Sequence, residues 1–385
     1  MKKKYLLALS AGHAFTDMNQ GALPAIIPYL IAAGGLKYAQ VAGFTFAISI
    51  TSSIMQPVFG IMADRLSKAW LLPIGVLLGG LGLSLIGFFP NHYWLMFTVA
   101  IVSGIGIAAY HPDAARMANK VAGKKKAGGM SIFTVGGNVG VACGPLLITP
   151  ALLYIGLRGS IVMVIPSLVM FFVFLRIIPM MRNADVPEGM EKHAQAPVNN
   201  DWGKFLLLGI TIVCRSVVLQ STNTFLPLFW INVLQQSKAE SGMTLSFMLF
   251  WGATATLTGG FLADRIGVVN VIRIGWVILI PSLGFLTMVT NPFAARLILI
   301  PFAFGLNLFN TPTVLLGQKY LPKNIGFASG ITMGLGNSLG GIAAPFIGMY
   351  ADLHGLTSTL RLLWVLPIIG TLVALTLKQP RSDPK

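Results

Sequence analysis

The sequence predicts an all-α integral membrane protein with twelve transmembrane helices in two pseudo-symmetric halves of six. Three observations carry this reading. Of 385 residues, 55% are hydrophobic and only 10% are charged, against about 25% charged in soluble domains, and the mean hydropathy is +0.77. The apolar residues and the 43 glycines supply material for about twelve spans of about 20 residues each. The chain also repeats itself at a fixed offset. This composition excludes a soluble enzyme, a disordered chain and a nucleic-acid binder. The net charge of +16 does not reinstate the last of these, because the basic residues sit in short clusters between apolar runs, as membrane topology requires.

The first span begins behind Lys2, Lys3 and Lys4 and runs to about Ile31, too long for a signal peptide. Further apolar segments follow near 38–63, 70–89, 92–118, 127–153 and 157–179, then near 203–232, 240–263, 270–290, 293–318, 324–351 and 357–378. Residues 180–202 are polar and contain prolines. The expected organisation is therefore a first half over 1–180, a cytoplasmic central loop over 181–202 and a second half over 203–385. Cys143 and Cys214 both lie in apolar segments and imply no disulfide framework.

The repeat has an offset of 200. Gly60-Ile-Met-Ala-Asp64-Arg65 returns as Gly260-Phe-Leu-Ala-Asp264-Arg265. Gly136, Gly140 and Pro145 return as Gly336, Gly340 and Pro345, and Pro112 returns as Pro312. Two homologous halves related by an axis along the membrane normal are implied. With the N-terminus inside, 21 of the Lys and Arg residues fall on the inner side and five on the outer side, leaving Arg215 within the membrane. That bias puts both termini in the cytoplasm, in an inner or plasma membrane.

The segment Gly60-x-Met-Ala-Asp64-Arg65-Leu-Ser-Lys68 between spans two and three, with its copy after span eight, resembles the G-x-L-a-D-R-x-G-R-K loop of major facilitator superfamily transporters. Ser67 replaces the second glycine, and the second copy keeps Gly267 but lacks the trailing basic pair. A narrower resemblance is to the fosmidomycin-resistance type of efflux carrier. It rests on Gly12-His13-x-Phe15-Thr16-Asp17-x-x-Gln20-Gly21 with Pro24, on Tyr110-His111-Pro112-Asp113-Ala-Ala-Arg116, and on Ser131-Ile-Phe-x-Val-Gly-Gly-Asn138-x-Gly140. The resemblance implies the superfamily's twelve-helix fold and transport by alternating access. It also implies a gating role for Asp64 with Arg65, and for Asp264 with Arg265, the first Asp docking on a helix N-terminus whose dipole attracts it. The span-four arginine of other drug–proton antiporters falls here at Ala100, so coupling has to use other charges.

A charge at the centre of a membrane helix costs about 2.5–3.5 kcal/mol, which makes the charges inside spans functional candidates. In span one, His13, Thr16, Asp17, Gln20 and Pro24 recur at helical spacing and form one narrow polar stripe that has to face protein or water. Asp17 lies roughly 18 Å along its helix, near the midplane. The functional reading makes Asp17 the carrier of the coupling proton, with His13 tuning it. The alternative is a structural polar contact. Arg215, at the corresponding depth in span seven, either pairs with Asp17 across the cavity or holds an anionic substrate bidentately.

In span four His111 is a second proton site and Asp113 a further candidate. Alternatively, Asp113 and Arg116 form a structural pair beside the inner loop, where Arg116 also counts as a gating residue. Pro112 removes a helix hydrogen bond nearby. Gly136, Gly140 and Gly144 recur one turn apart before Pro145, a close-packing face for another helix. Substrate-lining candidates are Thr16, Gln20, Phe15, Tyr110, Phe133, Asn138, Gln220, Asn223 and Asn310, with Asn307 and Asn337 as further polar residues inside spans; each serves alternatively as an interhelical hydrogen bonder.

The five histidines show no paired metal spacing, and neither a nucleophile elbow nor a phosphate loop is present. The expectation is a monomeric, cofactor-free carrier driven by a proton gradient, whose partners are a small molecule, protons and the bilayer. Efflux of a small anionic or zwitterionic compound in exchange for protons is the leading reading. Proton symport of a small organic metabolite is the first alternative, and a membrane sensor without turnover is the second.

Overall fold

The computed structural model describes residues 3–66, 70–122, 126–182, 199–324, 327–328, 331–332 and 336–379. Within them the chain is helical almost throughout. Six helices make up the first part: α1 (Lys3–Gly34), α2 (Tyr38–Leu66), α3 (Leu71–Leu85), α4 (Tyr93–Ala122), α5 (Lys126–Ile155) and α6 (Val164–Arg182). The second part holds α7 (Trp202–Asn232), α8 (Lys238–Ile266), α9 (Val268–Leu286), α10 (Pro292–Asn307), α11 (Asn310–Tyr320), α12 (Gly336–Leu362) and α13 (Val365–Thr376). Most of the expected central loop, residues 183–198, lies outside the described residues.

Local chemistry sets several of these boundaries. The Asp201 carboxylate accepts the Lys204 amide at 3.0 Å and caps α7. Asn291 accepts from the amides of Phe293 and Ala294, with Pro292 as the first helical residue of α10. Gly267, at φ 86°, separates α8 from α9, and Gly355, at φ 78°, kinks α12; only glycine takes up such a φ without strain.

Nine stretches among the described residues are long and apolar enough to cross a membrane, against the twelve expected. Three of the nine are compound. Residues 129–180 contain α5, a 3-10 segment over Gly156–Met163 and α6, and their 52 residues would reach about 78 Å as a helix, over twice the hydrocarbon thickness. Residues 292–320 contain α10 and α11, and residues 339–376 contain most of α12 with α13. Helix α1 is not among the nine, because Asp17, Asn19 and Gln20 lower its mean hydropathy below that of a plain lipid-facing span.

Two compact units divide the chain: Met1–Met190 with Ser237–Phe247, and Glu191–Gln236 with Met248–Lys385. In the first, α1 lies along α5 and also meets α3, α4 and α6, while α2 and α3 pack on α4. Tyr5, Leu6, Leu9, Val76, Tyr110, Phe133 and Phe174 form a continuous apolar cluster there. In the second unit α7 packs on α12 and α13, and α9 packs on α10, α11 and α13.

Glycines permit the closest of these approaches. Gly136, Gly140 and Gly144 on α5 face the backbone of α1 at Ser10, Ala14 and Met18, and Gly21 on α1 faces Val141 in return. A Cβ added to Gly140 would stand 2.6 Å from the carbonyl carbon of Ala14, inside any tolerable contact. The second unit repeats the arrangement: Gly340 on α12 faces Ser216 on α7, and its amide donates to Ser216 Oγ at 2.9 Å. Gly75 and Gly275 likewise serve corresponding contacts, on α4 and on the α10–α11 segment. The offset of 200 is thus a repeat of packing as well as of letters.

Gly140→Val should therefore destabilise the protein by about 1–3 kcal/mol through overpacking, seen as a lower Tm of the purified protein in detergent. Gly209→Val, at a helical position with open space where the Cβ would go, should leave Tm nearly unchanged.

Candidate functional site

The polar stripe of α1 meets α4 and α5 at one point. His13 Nε2 lies 3.1 Å from Asp17 Oδ2, one turn along the same helix. From α4, His111 Nε2 comes within 2.9 Å of Asp17 Oδ1, and Gln20 Nε2 donates to that same oxygen at 3.2 Å. From α5, the carbonyl of Phe133 accepts from His13 Nδ1 at 2.8 Å, and the Phe133 ring stacks on the imidazole with centroids 4.2 Å apart. The two imidazoles meet edge to face at 5.1 Å. Three helices thus converge on one carboxylate.

The hydrogen-bonding pattern constrains where protons reside. A backbone carbonyl can only accept, so Nδ1 of His13 carries a proton. On its other side the same ring faces a carboxylate oxygen. An ionised Asp17 also only accepts, so a second proton has to lie between His13 Nε2 and Asp17 Oδ2. It belongs either to an imidazolium or to a carboxylic acid. The contact between His13 Nε2 and Asp17 Oδ2 is therefore an edge that can hold one proton, and it is largely enclosed: the side chains of His13 and Asp17 are each 12% exposed and that of His111 is 25% exposed.

The remaining candidates divide between this cluster and other places. Thr16, on the stripe, is buried, and its hydroxyl has no hydrogen-bond partner among the described residues. Tyr110 is fully buried and donates to the Leu9 carbonyl at 2.7 Å, so its hydroxyl braces α4 against α1. Phe15 packs against the apolar cluster around Tyr110 and Phe174. Asp113 is fully buried and paired with Arg116 at 2.8 Å, in the i,i+3 geometry of the structural alternative. Asn138 is half-buried on α5, and Gln220 and Asn223 are half-buried on α7. Asp64 and Arg65 close α2, but their side chains lie outside the described residues, as does that of Asn337. Asp264 and Arg265 are exposed on the last turn of α8.

Arg215 is buried, and its partners belong to its own unit. Nε donates to the Leu306 carbonyl at 2.7 Å, and Nη2 reaches Asn307 Oδ1 at 3.3 Å. The guanidinium carbon lies 5.8 Å from the centre of the Phe309 ring. Leu306 to Phe309 is where helix α10 ends and α11 begins, so Arg215 satisfies a carbonyl beside the break in the helix ladder. Asn310 follows the break and starts α11.

Two participants were not singled out from the sequence for these roles. Gly137 lies directly over the His13–Asp17 pair: a Cβ there would stand 2.6 Å from His13 Nε2 and 2.7 Å from Asp17 Oδ2. The signal was the doubled glycine at 136–137, of which only Gly136 fits the one-turn packing series. Asn19 is fully buried on the opposite side of α1, where its amide donates to the carbonyls of Phe15 and Thr16.

Comparison with known proteins bears on this arrangement. Residues 9–345 match the model of the Major Facilitator Superfamily. The chain is 28% identical over 377 residues to the uncharacterised MFS-type transporter YfnC of Bacillus subtilis (strain 168), covering 96% of this chain and 92% of that one. It is 27% identical to the fosmidomycin resistance protein of Escherichia coli (strain K12), with 95% and 90% covered. Among solved structures, an inward-facing bacterial homologue of the lysosomal transporter Spinster superposes with a TM-score of 0.81 over 97% of this chain and 96% of that one, at 16% identity. The nucleoside transporter NupG follows at 0.78, with 97% and 98% covered and 16% identity. All-helical architecture, repeated halves and a matching family model together place this chain in the Major Facilitator Superfamily, as a membrane transporter and not an enzyme.

Proposed function

We propose that this transporter is a proton-coupled antiporter that exports a small anionic or zwitterionic compound of the fosmidomycin kind by alternating access. The observation that carries the reading is the buried contact of His13 with Asp17 at 3.1 Å, with His111 at 2.9 Å from the second carboxylate oxygen. Similarity to the fosmidomycin resistance protein along 95% of the chain supports the substrate class and the outward direction.

In this reading the twelve crossings are α1 to α9, the broken α10–α11 segment, α12 up to Gly355, and the remainder of α12 with α13. Both termini are cytoplasmic, the membrane is the inner or plasma membrane, and the carrier works as a monomer without a cofactor. Asp17 exchanges the transported proton with His13, and His111 relays it from the more open side of the cluster. Asp113 with Arg116 braces the inner end of α4. Arg215, with guanidinium hydrogens beyond those given to Leu306 and Asn307, supplies the positive charge that attracts an anion. Thr16, Gln20 and Asn138 in the first unit, and Gln220, Asn223 and Asn310 in the second, offer polar groups to the substrate. Asp64 and Asp264 act as gating residues.

The test uses inside-out vesicles holding the carrier, a preformed pH gradient and added fosmidomycin. The substrate should dissipate the gradient, and Asp17→Asn should reduce that response at least tenfold while the protein stays folded. An undiminished response in Asp17→Asn would refute the coupling role. Gradient loss only when substrate is offered from the opposite face would reverse the direction of transport.

Gly137→Ala gives a second test that leaves every ionisable group in place. Its methyl would drive His13 and Asp17 apart, so proton-coupled flux should fall at least tenfold with expression and detergent elution profile retained. Wild-type flux in that variant would mean the pair is not needed in this geometry.

A further inference from the structure

The cluster on α1 and α4 has a second chemical capacity. One ring nitrogen of His13, one of His111 and one Asp17 oxygen all lie within 4.8 Å of one another. We propose that these three side chains form an exchangeable site for one divalent late first-row transition-metal ion of the Zn2+, Ni2+ or Co2+ class, taken from solution in place of the shared proton. The inference goes beyond proton coupling and stands or falls separately from it.

Donor chemistry selects the ion. Two imidazoles and one carboxylate suit Zn2+, Ni2+ and Co2+, whereas Mg2+ and Ca2+ prefer oxygen donors. The spacing is compatible: donors at about 2.0–2.1 Å from a tetrahedral ion stand about 3.3 Å apart, and the two histidine–carboxylate separations are 3.1 and 2.9 Å. The two nitrogens have to come within about 4.2 Å of each other to share such an ion, and the His111 side chain, the most exposed of the three, is the one that would move.

The outer arrangement is also that of a metal ligand. A ligating histidine normally donates its other ring nitrogen to a carbonyl or carboxylate, which fixes the tautomer and leaves the ligating lone pair free. His13 does this through Nδ1 to the Phe133 carbonyl at 2.8 Å, and the stacked Phe133 ring fixes the plane of the imidazole. Three protein ligands leave at least one position for water, unlike the four protein ligands of closed structural sites. The linear sequence conceals this set, because His111 lies 94 residues from Asp17.

The experiment is a Co2+ titration of the intact, tag-free protein in detergent, followed by visible d–d absorption. The expected result is one Co2+ per chain in a low-coordinate spectrum. Zn2+ should displace it and Mg2+ should not. His13→Gln and His111→Gln should each weaken binding at least tenfold, and His92→Gln and His354→Gln should leave it unchanged. No low-coordinate spectrum in the wild-type protein, or one that survives in the His13→Gln/His111→Gln double variant, would overturn the proposal. Should the variants misfold, the unmutated chain still decides it. Zn2+ should protect His13 and His111 from diethylpyrocarbonate, read by mass spectrometry, and equal labelling with and without Zn2+ would count against the site.

Discussion

A carboxylate within a bilayer has to be neutralised or fully hydrogen-bonded, and Asp17 meets that requirement through groups from separate helices. His13 and Gln20 come from its own helix and His111 from α4, while α5 holds His13 through the Phe133 carbonyl. Much of the first half follows from this one demand. Helix α5 has to approach α1 closely enough for a backbone carbonyl to reach an imidazole, which is why glycines line their seam. Gly137 has no side chain because the charged pair occupies the space one would fill.

The two halves share this packing and differ in chemistry. Gly140 against Ala14 reappears as Gly340 against Ser216, and Gly75 as Gly275. Yet positions 213 and 217, which correspond to His13 and Asp17, are both valine, and position 311, which corresponds to His111, is threonine. The second half places its buried charge at Arg215, against the end of a broken helix. A duplicated scaffold thus holds a histidine–carboxylate cluster in one half and a buried guanidinium in the other. The proposed antiport assigns the mobile proton to the first and the anion to the second.

Much of the fold was legible in the sequence because hydropathy and the offset repeat are properties of single segments. The polar stripe of α1 was legible for the same reason, since helical periodicity alone aligns His13, Asp17 and Gln20. Contacts between helices were not. That His111 reaches Asp17 depends on the rotation and depth of α4 relative to α1, which no local pattern encodes. The break between Asn307 and Asn310 had a signal in Pro312, which cannot donate to the Leu308 carbonyl but was read only as the counterpart of Pro112; the bonding of Arg215 to Leu306 left no trace in any single segment. The hydropathy of α1 misleads in the other direction: the polar residues that build the cluster are those that make it look least like a span.

The proposed coupling requires a proton on the edge between His13 Nε2 and Asp17 Oδ2. The most direct measurement is 15N NMR of the histidine ring nitrogens in the folded carrier in bilayers at neutral pH, with His13 assigned by its loss in His13→Gln. Both His13 nitrogens should carry or share a proton, Nδ1 with the Phe133 carbonyl and Nε2 with Asp17. A bare Nε2 lone pair beside an ionised Asp17 would contradict it.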